Sequence, residues 1–170
     1  MLNLNTIKGV IFDLDGTLVS SSLNFTQIRR DIGCPQHVDI LSFIESLPEE
    51  EKVEAEDIVI QHELNDAGNA ELLKNGKRML DQVHAAQLPM AIVTRNCRRA
   101  TYIKMANNHI DVPLVITRED APAKPDPSAL LDIAAQWGIP VENILYVGDY
   151  IYDQQAAERA GMKWVLVNSN

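Results

Sequence analysis

Five short apolar runs, separated by segments of helical length, constrain the fold of this chain more than any other feature. They cover residues 8–13, 88–94, 113–117, 144–148 and 163–167. Each run is continuously apolar rather than alternating, which is typical of strands buried on both faces of a parallel sheet. The intervening patterns predict helices over residues 71–87, 97–107, 127–137 and 152–160. We therefore expect an α/β domain with right-handed crossovers.

One long segment interrupts this alternation of strands and helices. Between the first two apolar runs, residues 20–75 contain no convincing strand, and the patterns at 25–32, 40–47 and 49–66 predict helices. Pro48 and the acidic residues that follow it suit a helix N-terminus. We predict a small helical insertion over residues 20–75, and a core formed by residues 1–19 and 76–170.

Length and charge narrow the function classes. A chain of 170 residues predicts one compact domain with a small insertion. With 15 Lys+Arg against 24 Asp+Glu, the net charge of −9 argues against a nucleic-acid partner, and leaves anion binding to a local basic pocket or a metal ion.

No apolar run approaches the ~18 residues of a membrane span, and no signal-peptide pattern is present. Cys34 and Cys97 form no disulfide framework, so we expect a cytoplasmic protein without a membrane partner.

Polar residues follow three of the predicted strands at the point where each strand ends. They are, along the chain, Asp13 and Asp15, then Thr94, then Asp149 and Asp153. Because the carboxyl ends of parallel strands share one edge of an open sheet, we expect these side chains to converge. Lys124, which follows the third strand, could reach the same edge. Taken singly, several of these residues could instead belong to turns or helix caps.

Converging carboxylates repel each other, so this edge of the sheet needs a counter-charge. Two unit charges about 4 Å apart cost on the order of 4 kcal/mol at an effective dielectric constant of about 20, and one lysine does not neutralise four acids. Oxygen ligands of this kind suit Mg²⁺. With Lys124 beside the ion, the site would take an anion such as phosphate. Thr94 and the backbone N–H groups of Arg95 and Asn96, expected to open a helix, would donate hydrogen bonds to that anion.

At these residues the chain resembles the haloacid dehalogenase superfamily, specifically phosphatases of its phosphoglycolate-phosphatase-like branch. Four motifs of that family occur in order along almost the whole chain. They are Asp13-Leu-Asp15-Gly16-Thr17-Leu18, Val93-Thr94, Lys124-Pro125, and Gly148-Asp149 with Asp153 four residues later. The resemblance implies a Rossmann-like core whose parallel strands have the order 3-2-1-4-5, with a helical cap inserted after strand one.

The resemblance also implies a mechanism, namely two-step phosphoryl transfer. Asp13 would attack the phosphorus atom and form an aspartyl-phosphate. Asp15 would protonate the leaving oxygen and then deprotonate the water that hydrolyses the intermediate. The chain would then be a phosphatase for a small phosphorylated metabolite such as phosphoglycolate or a sugar phosphate.

A ligand set is implied in the same way. Mg²⁺ would bind the carboxylates of Asp13 and Asp149 and the backbone carbonyl of Asp15, while Asp153 would orient metal-bound waters or ligate directly. Thr94 and Lys124 would hold the phosphoryl oxygens.

Other functions remain open at this stage. A phosphomutase of the same superfamily would share all four motifs, and a non-catalytic descendant that binds a phosphorylated ligand would retain them. A signalling receiver domain is disfavoured because its phosphoacceptor ends the third strand and because the long insertion has no place in that fold. Both a monomer and a homodimer are compatible with the sequence.

Residues around the motifs lead to further expectations. The insertion is short for a cap of this branch, so we expect it to cover the site incompletely. Phe25 and Ile28 are predicted to pack in the core, and Arg29 and Arg95 are candidates for contacts to an anionic substrate tail. A further group, Arg98, Arg99 and Lys104, is predicted to form a solvated helix face.

Overall fold

The computed structural model describes residues 1–168 and has a five-stranded sheet at its centre. All neighbouring strands are parallel, and their order β3-β2-β1-β4-β5 confirms the predicted α/β fold. The strands are β1 (Gly9–Phe12), β2 (Met90–Val93), β3 (Leu114–Ile116), β4 (Ile144–Gly148) and β5 (Lys163–Leu166).

The helices lie close to their predicted positions. They are α1 (Phe25–Ile32), α2 (Ile40–Glu45), α3 (Glu49–Asn69), α4 (Lys74–Ala85), α5 (Arg98–Asn107), α6 (Ser128–Trp137) and α7 (Ile151–Ala160). The largest difference is at α4, which begins later than predicted because Leu72 forms an isolated antiparallel bridge with Val19. Within residues 1–168, every helix is too short or too polar to cross a membrane.

The sheet separates two apolar clusters, one on each face. Val10 and Phe12 belong to the cluster that includes residues of α4 and α5, whereas Ile11 belongs to the cluster beneath α6 and α7. Burial on both faces explains why the central strands read as continuous apolar runs. Strand β5 lies at the edge of the sheet, as the predicted order requires, but it is not buried on both faces as its apolar run predicts, since Trp164 within it is 40% exposed.

The segment between β1 and β2 forms a helical cap, as predicted. Helices α1, α2 and α3 enclose their own small apolar cluster, which contains Ile28, Ile40, Ile44 and Val59. Helix α3 also packs along α5 of the core, so the cap is held against the carboxyl edge of the sheet. The division of the chain at residues 20 and 75 stays a prediction.

Candidate active site

Three carboxylates meet where β1 and β4 end. Asp13 directly follows β1, Asp149 directly follows β4, and Asp153 lies in the first turn of α7. Parallel pairing of the two strands places Phe12 beside Val147, so the residues after them are brought to one edge. One oxygen of each carboxylate lies within 4.8 Å of the other two. The sheet topology thus produces the convergence of these three acids that the sequence predicts.

Gly16 permits this close approach in the turn after β1. Its φ angle is +75°, a conformation that side chains with a Cβ rarely adopt. A Cβ atom at this position would lie 2.0 Å from Asp149 Oδ2, so a larger residue would displace that carboxylate. The next residue, Thr17, donates its hydroxyl hydrogen to Asp149 Oδ1 at 3.4 Å. The turn therefore shapes the acidic cluster as well as reversing the chain.

Lys124 is the cation at the centre of this cluster. Its side chain is 2% exposed, and its ammonium group donates to Asp13 Oδ1 at 2.9 Å and to Asp153 Oδ1 at 2.7 Å. It also donates to the Tyr146 hydroxyl oxygen at 2.6 Å. Burial opposes ionisation of Asp153, but the Lys124 contact lowers the pKa of that carboxyl below its ordinary value. Lys124 is therefore fully engaged by groups of the protein itself.

One ammonium group does not balance three carboxylates. Burial, reinforced by the charge of Asp153, raises the pKa of Asp13 well above its ordinary value, although Lys124 opposes the shift. Burial likewise raises the pKa of Asp149. Burial and the neighbouring carboxylates both disfavour ionisation here, and a bound cation would offset both effects.

The donor atoms of the cluster fit a hard divalent cation such as Mg²⁺. The carboxylates of Asp13 and Asp149 supply oxygen ligands of the kind that Mg²⁺ prefers. Asp153 is more fully occupied, because its Oδ2 accepts the backbone N–H groups of Asp149 at 3.1 Å and of Tyr150 at 3.2 Å. Both of its oxygens are thus engaged in holding Lys124 and the start of α7. This arrangement favours an orienting role for Asp153 over direct ligation.

Asp15 lies beside the cluster and has both oxygens occupied. Oδ2 accepts a hydrogen bond from the Asn96 side chain at 2.8 Å, and Oδ1 accepts one from Lys104 Nζ at 2.7 Å. Asn96 also donates to Thr94 Oγ1 from its side chain and from its backbone N–H, each at 3.1 Å. Thr94 Oγ1 therefore acts as an acceptor here, which leaves its own hydrogen available for a ligand.

The loop after β2 differs from the prediction. Arg95 and Asn96 do not open a helix, because α5 begins only at Arg98 and the Asn96 N–H already binds Thr94. The Arg95 guanidinium donates to Asp39 Oδ1 of the cap at 2.5 Å and to the backbone carbonyl of Lys124. It also stacks 4.7 Å from the centre of the Tyr152 ring. Arg95 thus ties the cap to the core, and its predicted role in phosphate binding stays a prediction.

Two predictions about surrounding side chains are wrong. Lys104 is 0% exposed, whereas it was expected on a solvated face with Arg98 and Arg99, both of which are exposed. Phe25 is 54% exposed rather than packed in the core. Ile28 is buried, as predicted. Helical spacing could have identified Lys104, since it lies four residues after Ala100 and three after Thr101 on the buried face of α5.

Further residues at the cap–core boundary escaped the sequence analysis. Asp66 and Glu63, on the buried face of α3, bind core cations: Asp66 Oδ2 accepts from Lys104 at 2.9 Å, and Glu63 Oε1 accepts from Arg118 at 2.6 Å. Their helical spacing from Ala55 and Val59 places them on the apolar face of α3, which is the one available sequence signal. Acids at buried positions need a partner, but periodicity does not identify it.

A cavity of about 550 Å³ lies between the cap and the carboxyl edge of the sheet. Residues from both parts line it, so the cap forms part of the cavity wall, and its predicted incomplete cover of the site stays a prediction. The core contributes Asp13, Asp15, Thr94, Asn96, Lys124 and Asp149, and the cap contributes Phe25, Arg29, Asp39 and Leu41. The cavity therefore holds carboxylates, an ammonium group and hydroxyl donors against a partly apolar wall.

Comparisons with known proteins identify the family of the chain. The sequence profile of the haloacid dehalogenase-like hydrolases matches residues 21–167. A Saccharomyces cerevisiae protein described as an uncharacterized hydrolase is 32% identical over 177 residues, covering 98% of this chain and 80% of that protein. The phosphoglycolate phosphatase of Yersinia pseudotuberculosis is 24% identical over 197 residues, covering 95% of this chain and 81% of that enzyme.

A solved structure shows the same fold. The crystal structure of a predicted phosphoglycolate phosphatase from Haemophilus somnus superposes with a TM-score of 0.74 and 23% identity, covering 96% of this chain and 86% of that one. The profile match extends over most of the chain, and the sheet order and cap position agree with it. The chain therefore belongs to the haloacid dehalogenase-like hydrolases.

Proposed function

We propose that this protein is a Mg²⁺-dependent phosphatase that hydrolyses a small phosphate monoester through an aspartyl-phosphate at Asp13. The observation that carries the proposal is the cluster of Asp13, Asp149 and Asp153 within 4.8 Å around the buried Lys124. The cluster opens onto a cavity that can hold a phosphorylated metabolite. A carboxylate nucleophile, a cation site and a fixed ammonium group are the parts that phosphoryl transfer to an aspartate requires.

The first step is attack of the ionised Asp13 carboxylate on phosphorus. A bond forms between a carboxylate oxygen and phosphorus while the ester P–O bond breaks. Thr94 lies in the cavity wall with a hydroxyl hydrogen available for a phosphoryl oxygen, and the Lys124 ammonium group, bound to Asp13, supplies positive charge where charge shifts in the transition state. The carboxylates of Asp13 and Asp149 and the backbone carbonyl of Asp15 would hold Mg²⁺, whose positive charge would keep Asp13 ionised.

Asp15 handles the proton in both steps. It gives a proton to the ester oxygen as the P–O bond breaks, and it then takes one from the water that attacks the aspartyl-phosphate. Its place in the cavity wall, two residues from Asp13 and hydrogen-bonded to Asn96, supports this role. The protein is thus returned to its starting protonation state after each turnover.

The substrate class follows from the site and from the relatives. A cavity of about 550 Å³ suits a metabolite larger than inorganic phosphate, and we propose phosphoglycolate or a sugar phosphate. The similarity to phosphoglycolate phosphatases supports this choice. Arg29 and Arg95 in the cavity wall could contact an anionic tail, although Arg95 is already paired with Asp39.

The test is a panel of phosphorylated metabolites together with p-nitrophenyl phosphate, assayed for phosphate release with Mg²⁺. We expect turnover that falls by about 10³-fold or more in Asp13→Asn, because an amide does not form the intermediate. Asp132→Asn, which changes an exposed carboxylate on α6, is the matched control and should retain full activity. Retained Mg²⁺-dependent turnover in Asp13→Asn would exclude Asp13 as the nucleophile. An isomerised phosphate ester in place of free phosphate would indicate a phosphomutase.

A further inference from the structure

The two oxygens of Asp15 have partners in different environments. Asn96, which binds Oδ2, lines the cavity together with Asp15 itself. Lys104, which binds Oδ1 at 2.7 Å, is 0% exposed and is not among the residues that line the cavity, so it lies behind Asp15. Lys104 therefore contacts the side chain of Asp15 without reaching the space that a substrate would occupy.

Lys104 is in turn held by the cap. Its ammonium group donates to Asp66 Oδ2 at 2.9 Å, and Asp66 is itself buried on α3. Asp66 also accepts the backbone N–H of Ser22 at 2.7 Å and the Ser21 hydroxyl at 3.0 Å, both in the segment that enters the cap. A continuous chain of contacts thus runs from the cap through Lys104 to Asp15.

The energetics of burial indicate what Lys104 contributes. Burying a lysine is costly, and replacing a whole buried ion pair by apolar side chains of similar volume often stabilises a protein as well or better. The buried ammonium group of Lys104 is instead paired with two carboxylates, Asp15 and Asp66. What a charged Lys104 provides, and an apolar residue would not, is a directed hydrogen bond to Asp15 Oδ1.

We propose that Lys104 is a positioning residue for Asp15, held in place by Asp66 of the cap. The inference rests on the proposed function, in which Asp15 transfers protons. With Oδ1 held from behind, rotation of the Asp15 carboxyl is restricted and Oδ2 stays on the cavity side, next to Asn96. Holding a catalytic group in a productive orientation is worth about 10²-fold in rate for a displacement of about 1 Å.

The test compares two substrates in Lys104→Met. A simple alkyl phosphate has a poor leaving group that needs the proton from Asp15, whereas p-nitrophenolate leaves readily without one. The ratio kcat/KM reports the steps up to formation of the aspartyl-phosphate. We expect it to fall about 10²-fold for the alkyl phosphate and less than about 10-fold for p-nitrophenyl phosphate. Equal losses for both substrates would overturn the proposal, because they would indicate a structural role only.

Further variants separate positioning from folding. Asp66→Asn keeps the shape of the second carboxylate that binds Lys104, and it should show the same substrate dependence with a smaller loss of kcat/KM. This variant provides the test if Lys104→Met does not fold. Lys77→Met, which changes an exposed lysine on α4, is the matched control and should alter neither substrate. In an Asp15→Asn background, Lys104→Met should lower kcat/KM for the alkyl phosphate by less than about twofold. A multiplicative loss in the double variant would contradict action through Asp15.

A readout without turnover keeps this inference distinct from the proposed phosphatase activity. The ¹³C resonance of the Asp15 carboxyl, with its line width, reports the orientation and mobility of that group in any folded variant. We expect one ordered state in the wild type and a second rotamer or broadening in Lys104→Met. An unchanged Asp15 resonance would overturn the positioning role even if the protein proved an active phosphatase. Absence of phosphate release from every ester in the wild type would overturn only the proposed function.

Discussion

Two buried lysines at the same edge of the sheet each hold two carboxylates, yet their surroundings differ. Lys124 binds Asp13 and Asp153 at the wall of the cavity, with Asp149 as a further acid nearby. Lys104 binds Asp15 and Asp66 behind the cavity, between the core and the cap.

The balance of charge and hydrogen bonds sets the behaviour of each lysine. Around Lys124 the acids are in excess, and the pKa values of Asp13 and Asp149 are raised. Around Lys104, burial opposes ionisation of Asp66, but Lys104 and the Ser22 N–H lower the pKa of that carboxyl. The acids around Lys124 therefore favour binding of a further cation, whereas the acids around Lys104 are neutralised by the protein itself.

The largest contrast should come from removing each ammonium group. Lys124→Met should lower kcat/KM by about 10³-fold for alkyl and p-nitrophenyl phosphate alike, because it removes the positive charge beside the phosphoryl group rather than the proton donor. It should also lower the free energy of unfolding by about 3 kcal/mol, since it breaks a buried ion pair. Steady-state kinetics and urea denaturation measure the two effects. A loss confined to the alkyl phosphate would contradict the separate roles of the two lysines.

Metal binding should distinguish the acids of the two groups. Asp149→Asn should weaken Mg²⁺ binding by about 10–100-fold, because it removes a charged ligand from the cluster. Asp66→Asn should leave the affinity for Mg²⁺ unchanged, since Asp66 binds Lys104 and is not part of the acidic cluster. Isothermal titration calorimetry with Mg²⁺ alone measures both constants. Equal affinities in wild type and Asp149→Asn would place the cation elsewhere.

The stabilising contribution of Asp66, which binds Lys104, should decrease as the pH falls. Because the fold lowers the pKa of Asp66, its contribution is present above the ordinary value of 3.8 and is lost as the pH falls through the lowered value. Asp66→Asn should therefore cost about 2 kcal/mol near pH 7, and the difference from wild type should shrink in acid. Urea denaturation over a pH series measures this difference. A constant difference at all pH values would show that the charge of Asp66 does not stabilise the fold.

The contribution of Asp13, which binds Lys124, should change with pH in the opposite direction. Because the fold raises the pKa of Asp13, the contribution of Asp13 to the free energy of unfolding is complete below the ordinary pKa of 3.8. This contribution is lost as the pH rises through the raised pKa. In EDTA near pH 7, Asp13→Asn should therefore raise the free energy of unfolding by about 1 kcal/mol. Excess Mg²⁺ should reverse the order, since it stabilises the wild-type cluster selectively. A destabilised Asp13→Asn protein in EDTA would show that the acids are balanced without a cation.

The features predicted well from the sequence are those set by neighbouring residues. Continuous apolar runs located every strand, but they overestimated the burial of the edge strands β3 and β5, because a short apolar run has the same pattern at the centre and at the edge of a sheet. Asp13 and Asp149 were expected together because each directly follows a central strand. The strand order came from the resemblance to a known family rather than from residue patterns.

The cap–core contacts were not predicted, because their partners are far apart in the chain. Lys104 is 89 residues from Asp15 and 38 from Asp66, and Arg95 is 56 from Asp39. Helical periodicity assigns such residues to a buried face, but it does not show which opposite charge will face them. Lys104 was therefore predicted on a solvated face because of its charge, since the buried carboxylates that pair with it lie far away in the chain.

Local patterns in the sequence predict the strands, the helical insertion and the acids that follow β1 and β4, because apolar periodicity and position at a strand end are local properties. Which carboxylates each buried lysine neutralises depends on the three-dimensional fold. That choice depends on how α3 of the cap docks on α5, which brings together charges that no pattern along the chain relates.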